Sequence, residues 1–133
     1  MKVAVAHEIP FHDVDSLQIA WHGHHYKYFE LARTALYRSL QLDIQDMQEL
    51  GYAFPVIESH CRYCEPLKYG QKIIIHAYFK AWQYYILIHY RIDSPGGRRL
   101  AYGHTKQAVC DPQGILQTPV PEPVHNVFNA HEI

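Results

Sequence analysis

A chain of 133 residues has the length of one domain, long enough to bury a core without staples. Hydrophobic residues at 48% and charged residues at 19% exclude intrinsic disorder, and a net charge of −1 argues against a nucleic-acid binder, which shows a basic excess. Three Cys cannot complete a disulfide framework and fit a reducing, cytoplasmic setting, while no stretch approaches the roughly 18 apolar residues of a membrane span.

The apolar run before His7 and Glu8 is too short for a signal-peptide core, so a leader is not expected. Residues 2–9 alternate weakly through Val3, Val5, His7 and Ile9 and predict a strand ended by Pro10. Residues 11–23 hold Phe11, two Asp, Ser16 and Gly23 and predict a loop. From about His24 to Leu40 there is no Gly or Pro, and Phe29, Ala32, Leu36 and Leu40 recur at helical spacing. This predicts a largely buried helix of about 25 Å. A short second helix over 43–50 follows, with Asp43 as N-cap and Gly51 as stop.

After Gly51 the pattern turns to strands. Tyr52–Tyr63, Gln71–Trp82, Tyr84–Ile92 and Arg99–Cys110 are rich in β-branched and aromatic residues. Pro and Gly turn signals separate them. The order β–α–α–β–β–β–β predicts an α+β domain spanning 1–133, an antiparallel sheet against one long helix. Ile73-Ile74-Ile75 and Ile86-Leu87-Ile88 put apolar side chains on both faces of the sheet, so both faces are expected to be covered, one by a second copy. The proline-rich tail from Thr118 to Pro123 predicts an extended or mobile segment.

The stretch that bears chemistry is Asp13-Val14-Asp15, followed by Trp21-His22-Gly23 and the long helix. The start of a helix offers unpaired N–H groups and a partial positive charge, which suit a developing oxyanion. A nearby carboxylate can attack a carbonyl or activate water. Asp before a helix is more often a cap, but Asp15 stands seven residues before His22, too far for a direct cap. Asp13 reads as a turn former.

The pattern D-x-D, then W-H-G-x-x-x-x-Y-F-E-x-A-R, resembles the hotdog-fold acyl-CoA thioesterases of the 4-hydroxybenzoyl-CoA thioesterase and YbgC/FadM type. The resemblance continues through Phe54-Pro55-Val56 and Tyr63-x-x-Pro66-Leu67-x-Tyr69-Gly70 and covers essentially the whole chain. It implies a hotdog fold, in which a five-stranded antiparallel sheet wraps a central helix, and homodimers, often paired into tetramers, with active sites at the dimer interface. It implies Asp15 as the catalytic carboxylate and the His22 backbone N–H as the group that polarises the thioester carbonyl, with the imidazole of His22 assisting. Trp21, Gly23, Tyr28, Glu30 and Tyr63 are the substrate-binding candidates. The substrate implied is an acyl-CoA or an acyl carrier protein thioester, with CoA or pantetheine as part of the substrate and no separate cofactor. The basic residues that some relatives carry after a Trp like Trp82 are replaced by Gln83, Tyr84 and Tyr85. A non-catalytic acyl-pantetheine-binding module is the alternative from a different class.

Other signals are weaker. Cys61 and Cys64 form C-x-x-C, but i and i+3 on a strand face opposite ways, so they do not share a metal or a bridge. His22, His24 and His25 lack the H-x-x-x-H spacing of a zinc helix, and no metal is expected. The aromatics Trp82, Tyr84, Tyr85 and Tyr90 could stack bases, but the near-neutral charge favours packing.

Overall fold

The computed structural model describes residues 2–131. Five strands, β1 (Lys2–Glu8), β2 (Val56–Tyr63), β3 (Lys72–Ala81), β4 (Ile86–Asp93) and β5 (Arg99–Gln107), form one antiparallel sheet in the order β1-β3-β4-β5-β2. The helix α1 (His24–Ser39) packs against its inner face, chiefly on β1 and β3. This is the hotdog arrangement implied by the resemblance, and α1 ends within a residue of the expected limit.

The 3.6-residue spacing places Tyr28, Phe29, Ala32 and Leu36 against the sheet, all fully buried. Phe29 stacks on Tyr90 with ring centroids 4.5 Å apart. Gly103 of β5 makes that approach feasible, because a Cβ there would overlap the His60 carbonyl and press on the Phe29 ring. The second helix, α2 (Ile44–Leu50), begins in a capping box in which Asp43 and Asp46 bond each other's ends of the first turn. It stops at Gly51, whose φ of 85° is left-handed.

Three expectations change. The inner positions of β3 and β4 (Ile73, Ile75, Ile86, Ile88) are fully buried, but the outer face is not apolar. Ile74 and Leu87 are half-buried there among His76, Tyr78, His89 and Arg91, because strand alternation sends every second, mostly polar, residue outward. Two long strands also shorten. Tyr52–Pro55 and Ala108–Cys110 leave the ladder and keep only the isolated Ala53–Cys110 bridge and the bond from the Ala108 N–H to the Pro55 carbonyl at 2.9 Å, since Pro55 has no N–H to continue the pairing. The tail, finally, is not extended throughout. It forms α3 (Glu122–Ala130), with Pro123 in the first turn, where a missing N–H costs nothing. Its Phe128 meets Phe79 edge-on at 4.8 Å and stacks on Trp82 at 5.8 Å.

Candidate active site

The loop between β1 and α1 is a small hairpin. After a 3-10 turn at Phe11–Asp13, Val14 bridges Ala20. The Asp15 N–H donates to the Ile19 carbonyl at 3.0 Å, and the Trp21 N–H donates to the Asp13 carbonyl at 3.0 Å. Gln18 turns the tip with a φ of 65°, a left-handed value unusual for a residue with a Cβ. The second arm is tied down by the Ala20 N–H on the Leu67 carbonyl at 2.7 Å and then runs straight into α1. Pairing therefore sets Asp15 about 7 Å, two strand residues, from the Asp13–Trp21 step at which the helix begins.

The two carboxylates of the hairpin differ in every respect. Asp13 is buried; Lys27 Nζ donates to its Oδ1 at 2.5 Å and the Tyr28 hydroxyl to its Oδ2 at 2.7 Å. Burial opposes its ionisation, but the hydrogen bonds from Lys27 and Tyr28 and the Lys27 charge outweigh that and hold the carboxyl below its usual range. Asp13 is thus an anchor between the hairpin and α1, not the turn former expected; its side chain caps nothing and is saturated by the helix. Asp15 is exposed. Its Oδ1 accepts the Leu17 N–H at 2.8 Å, and its Oδ2 meets no donor among the described residues. An open cleft around it is lined by Phe11, Val14, Gln18, Lys68 and Tyr69.

The start of α1 gathers four of the expected residues. Gly23 is the N-cap and offers no side-chain cap. The indole of Trp21 lies across it, so that a side chain at Gly23 would have to displace the outer edge of that half-exposed ring. The N–H groups of His22 and Gly23 donate to nothing among the described residues. The His22 ring stands 5.0 Å from Trp21 and 6.1 Å from Tyr63. Tyr63, at the end of β2, donates its hydroxyl to the His22 carbonyl at 2.9 Å. Under it lies His25, buried, its ring 4.6 Å from that of Tyr63. Neither ring nitrogen of His25 has a hydrogen-bond partner, and burial lowers its pKa to about 4, so it is a neutral imidazole.

Two expected residues lie apart. Tyr28 is fully buried on Asp13, with its phenol pushed well above the ordinary value by burial and by that carboxylate, so its hydroxyl is out of reach of a substrate. Glu30 is exposed, 3.8 Å from Arg33 on the next turn. Sequence reasoning missed Lys27 as the partner of Asp13, and Lys68 and Tyr69 as walls of the Asp15 cleft; the last two come from the β2–β3 connection, and no local signal links them to the hairpin. The described residues hold no group of three or more His, Cys, Asp or Glu side chains fit to bind a metal ion. None of the described helices is long and apolar enough to cross a membrane.

A family model described as the thioesterase-like superfamily matches residues 9–128. The chain belongs to that superfamily. Among curated relatives this thioesterase-like chain is 27% identical over 104 residues to a putative acyl-CoA thioesterase, YneP, of Bacillus subtilis, covering 77% of this chain and 75% of the relative. Among solved structures it superposes on a DHNA-CoA thioesterase from Staphylococcus aureus with a TM-score of 0.87 at 17% identity, covering 98% of this chain and 91% of the other. A second Staphylococcus aureus protein, solved in complex with CoA, matches with a TM-score of 0.86 at 11% identity, covering 98% and 84%. At such identities the structural likeness speaks for the fold, and the family assignment rests on the sequence match.

Proposed function

We propose that this thioesterase-like chain hydrolyses the thioester of an acyl-CoA or aroyl-CoA to the free acid and CoA, with Asp15 as the reacting carboxylate. The observation that carries the reading is Asp15 itself, an open carboxylate with a free oxygen on a hairpin that leads into the unpaired amides of His22 and Gly23. The acyl-CoA thioesterase among its relatives and the CoA-bound structural neighbour support the substrate class. A thioester carbonyl lacks the resonance stabilisation of an amide, so a carboxylate suffices without a Ser–His–Asp triad. Asp15 either adds to the carbonyl carbon, expelling the CoA thiolate to leave a mixed anhydride that water cleaves, or takes a proton from the water that adds. In both routes one water is consumed, and one acid and one thiol are released. The carbonyl oxygen gains charge in the addition step, and the amides at the start of α1 are donors suited to it. No cofactor enters beyond the CoA of the substrate.

The working unit in this proposal is a homodimer. Strand β2 is a sheet edge with Val56, Ile57 and Tyr63 exposed, a form that favours pairing with a second copy. The three free cysteines suit a cytoplasmic setting.

The test is release of free thiol from short, medium, long and aromatic acyl-CoAs by the wild type and by Asp15→Asn. Hydrolysis that drops by about two decades or more in the variant supports the reading. Activity that survives Asp15→Asn removes the chemistry from this residue. A wild type that cleaves no CoA thioester, but cleaves those of acyl carrier protein, changes the carrier; one that cleaves neither makes the chain a binding module.

A further inference from the structure

We infer that Tyr63 is a positioning residue, whose hydroxyl fixes the peptide between His22 and Gly23 and so aims the Gly23 amide, one of the two free amides at the start of α1. The inference rests on the thioester-hydrolysis reading for its catalytic consequence, but not for its structural content.

In a planar trans peptide the C=O and the following N–H point in opposite directions. Whatever holds the His22 carbonyl therefore holds the Gly23 N–H. Two donors reach that carbonyl, the Tyr63 hydroxyl at 2.9 Å and the His25 N–H at 3.3 Å. The second is long and belongs to the turn itself; the first comes from the edge strand, 41 residues away in sequence. The preceding peptide is held separately, because the Trp21 carbonyl accepts the His24 N–H at 2.9 Å. That bond directs the His22 N–H. Both free amides thus have their direction set through the oxygen at the other end of their own peptide.

The 22–23 peptide is the one in need of a clamp. Gly23 has no Cβ and caps nothing with a side chain, so its backbone is the least restricted at the helix start. The Trp21 indole lies over it, and a residue with a Cβ would have to push that ring aside. Tyr63 supplies the restraint from outside. Its ring is seated edge-on against the neutral, buried ring of His25 at 4.6 Å, and β2 fixes its backbone opposite Ala101. Partial desolvation of the otherwise exposed side chain, with the neighbouring Cys61 thiol adding to it, pushes the Tyr63 phenol up to about 12, so the hydroxyl keeps its donor proton throughout the neutral range.

Tyr63→Phe tests this, since it keeps the ring and removes the one donor. Two readouts are taken on the full chain. The first is the Gly23 amide resonance and the His22 carbonyl carbon shift by NMR, with no substrate present. The second is kcat and KM for the best thioester of the panel, beside the melting temperature. We expect both resonances to move, kcat to fall between about tenfold and a hundredfold, KM to stay within about twofold and the melting temperature to change little, because an exposed hydroxyl contributes little stability. Unmoved Gly23 and His22 resonances overturn the clamp. Moved resonances with an unchanged kcat overturn its part in catalysis. A wild type inactive on every thioester sinks the hydrolysis reading instead, while the NMR readout still decides the clamp.

Discussion

The base and the tip of one short hairpin hold carboxylates two residues apart, and their surroundings are opposite. At the base, Asp13 is buried and saturated by Lys27 and Tyr28. At the tip, Asp15 is exposed with one oxygen unused. The same side chain does two different jobs because the base of the hairpin packs on α1, where Lys27 and Tyr28 reach Asp13, while the tip carries Asp15 past the helix into the open cleft. A buried carboxylate with all its acceptors occupied fixes a structure; one with a free oxygen beside polar backbone can react.

Exchanging each carboxylate for its amide is the sharpest way to break the comparison. Asp15→Asn should lose about two decades of thiol-releasing activity with an unaltered melting curve. Equal losses of stability and activity would make it a second anchor. Asp13→Asn should do the reverse. It should cost about 2–3 kcal/mol of stability in denaturant titration, by facing the Lys27 and Tyr28 donors with an amide that satisfies them poorly, and should spare kcat at temperatures where the fold persists. Its effect should also depend on pH. The folded-state carboxyl lies below the ordinary value, so its contribution is present above the unfolded pKa and disappears as pH falls through the folded one; wild type and variant should converge in acid.

His25 extends the comparison to the helix side of the site. With a folded pKa of about 4 against 6.5 unfolded, it stays neutral in the fold while the unfolded chain gains a proton. Wild-type stability should therefore decline as pH falls from about 6.5 towards 4, by about 2 kcal/mol between pH 7 and pH 5. His25→Phe keeps a ring under Tyr63 and should flatten that decline; an equally steep curve in the variant would place the proton uptake elsewhere, with His7 the next candidate, since burial lowers it too. The smallest expected effect is at the hairpin tip. Gln18→Gly relieves a left-handed φ but frees the unfolded chain, and the balance should stabilise by less than about 1 kcal/mol in the melting curve.

The local calculus of the sequence covered much of this molecule. The spacing of Phe29, Ala32, Leu36 and Leu40 marks α1, Asp43 and Gly51 bound α2, and the Pro and Gly turns separate β2 to β5, because each of these depends on neighbours a few residues away. The D-x-D segment and the helix start after it could be singled out for the same reason. The α3 helix escaped notice because its prolines read as a break, whereas one of them sits in the first turn, and its apolar stripe has meaning only against Phe79 and Trp82.

What the chain alone determined, then, is which segments are helix and strand and where a carboxylate meets a helix start. Only the tertiary structure decided that Asp13 is the anchor and Asp15 the open group, that β2 lies at the sheet edge, and that Tyr63 reaches the His22 carbonyl. Burial and long-range hydrogen bonds belong to pairs far apart in sequence. They arise only when the sheet closes around α1, so no window of residues contains them.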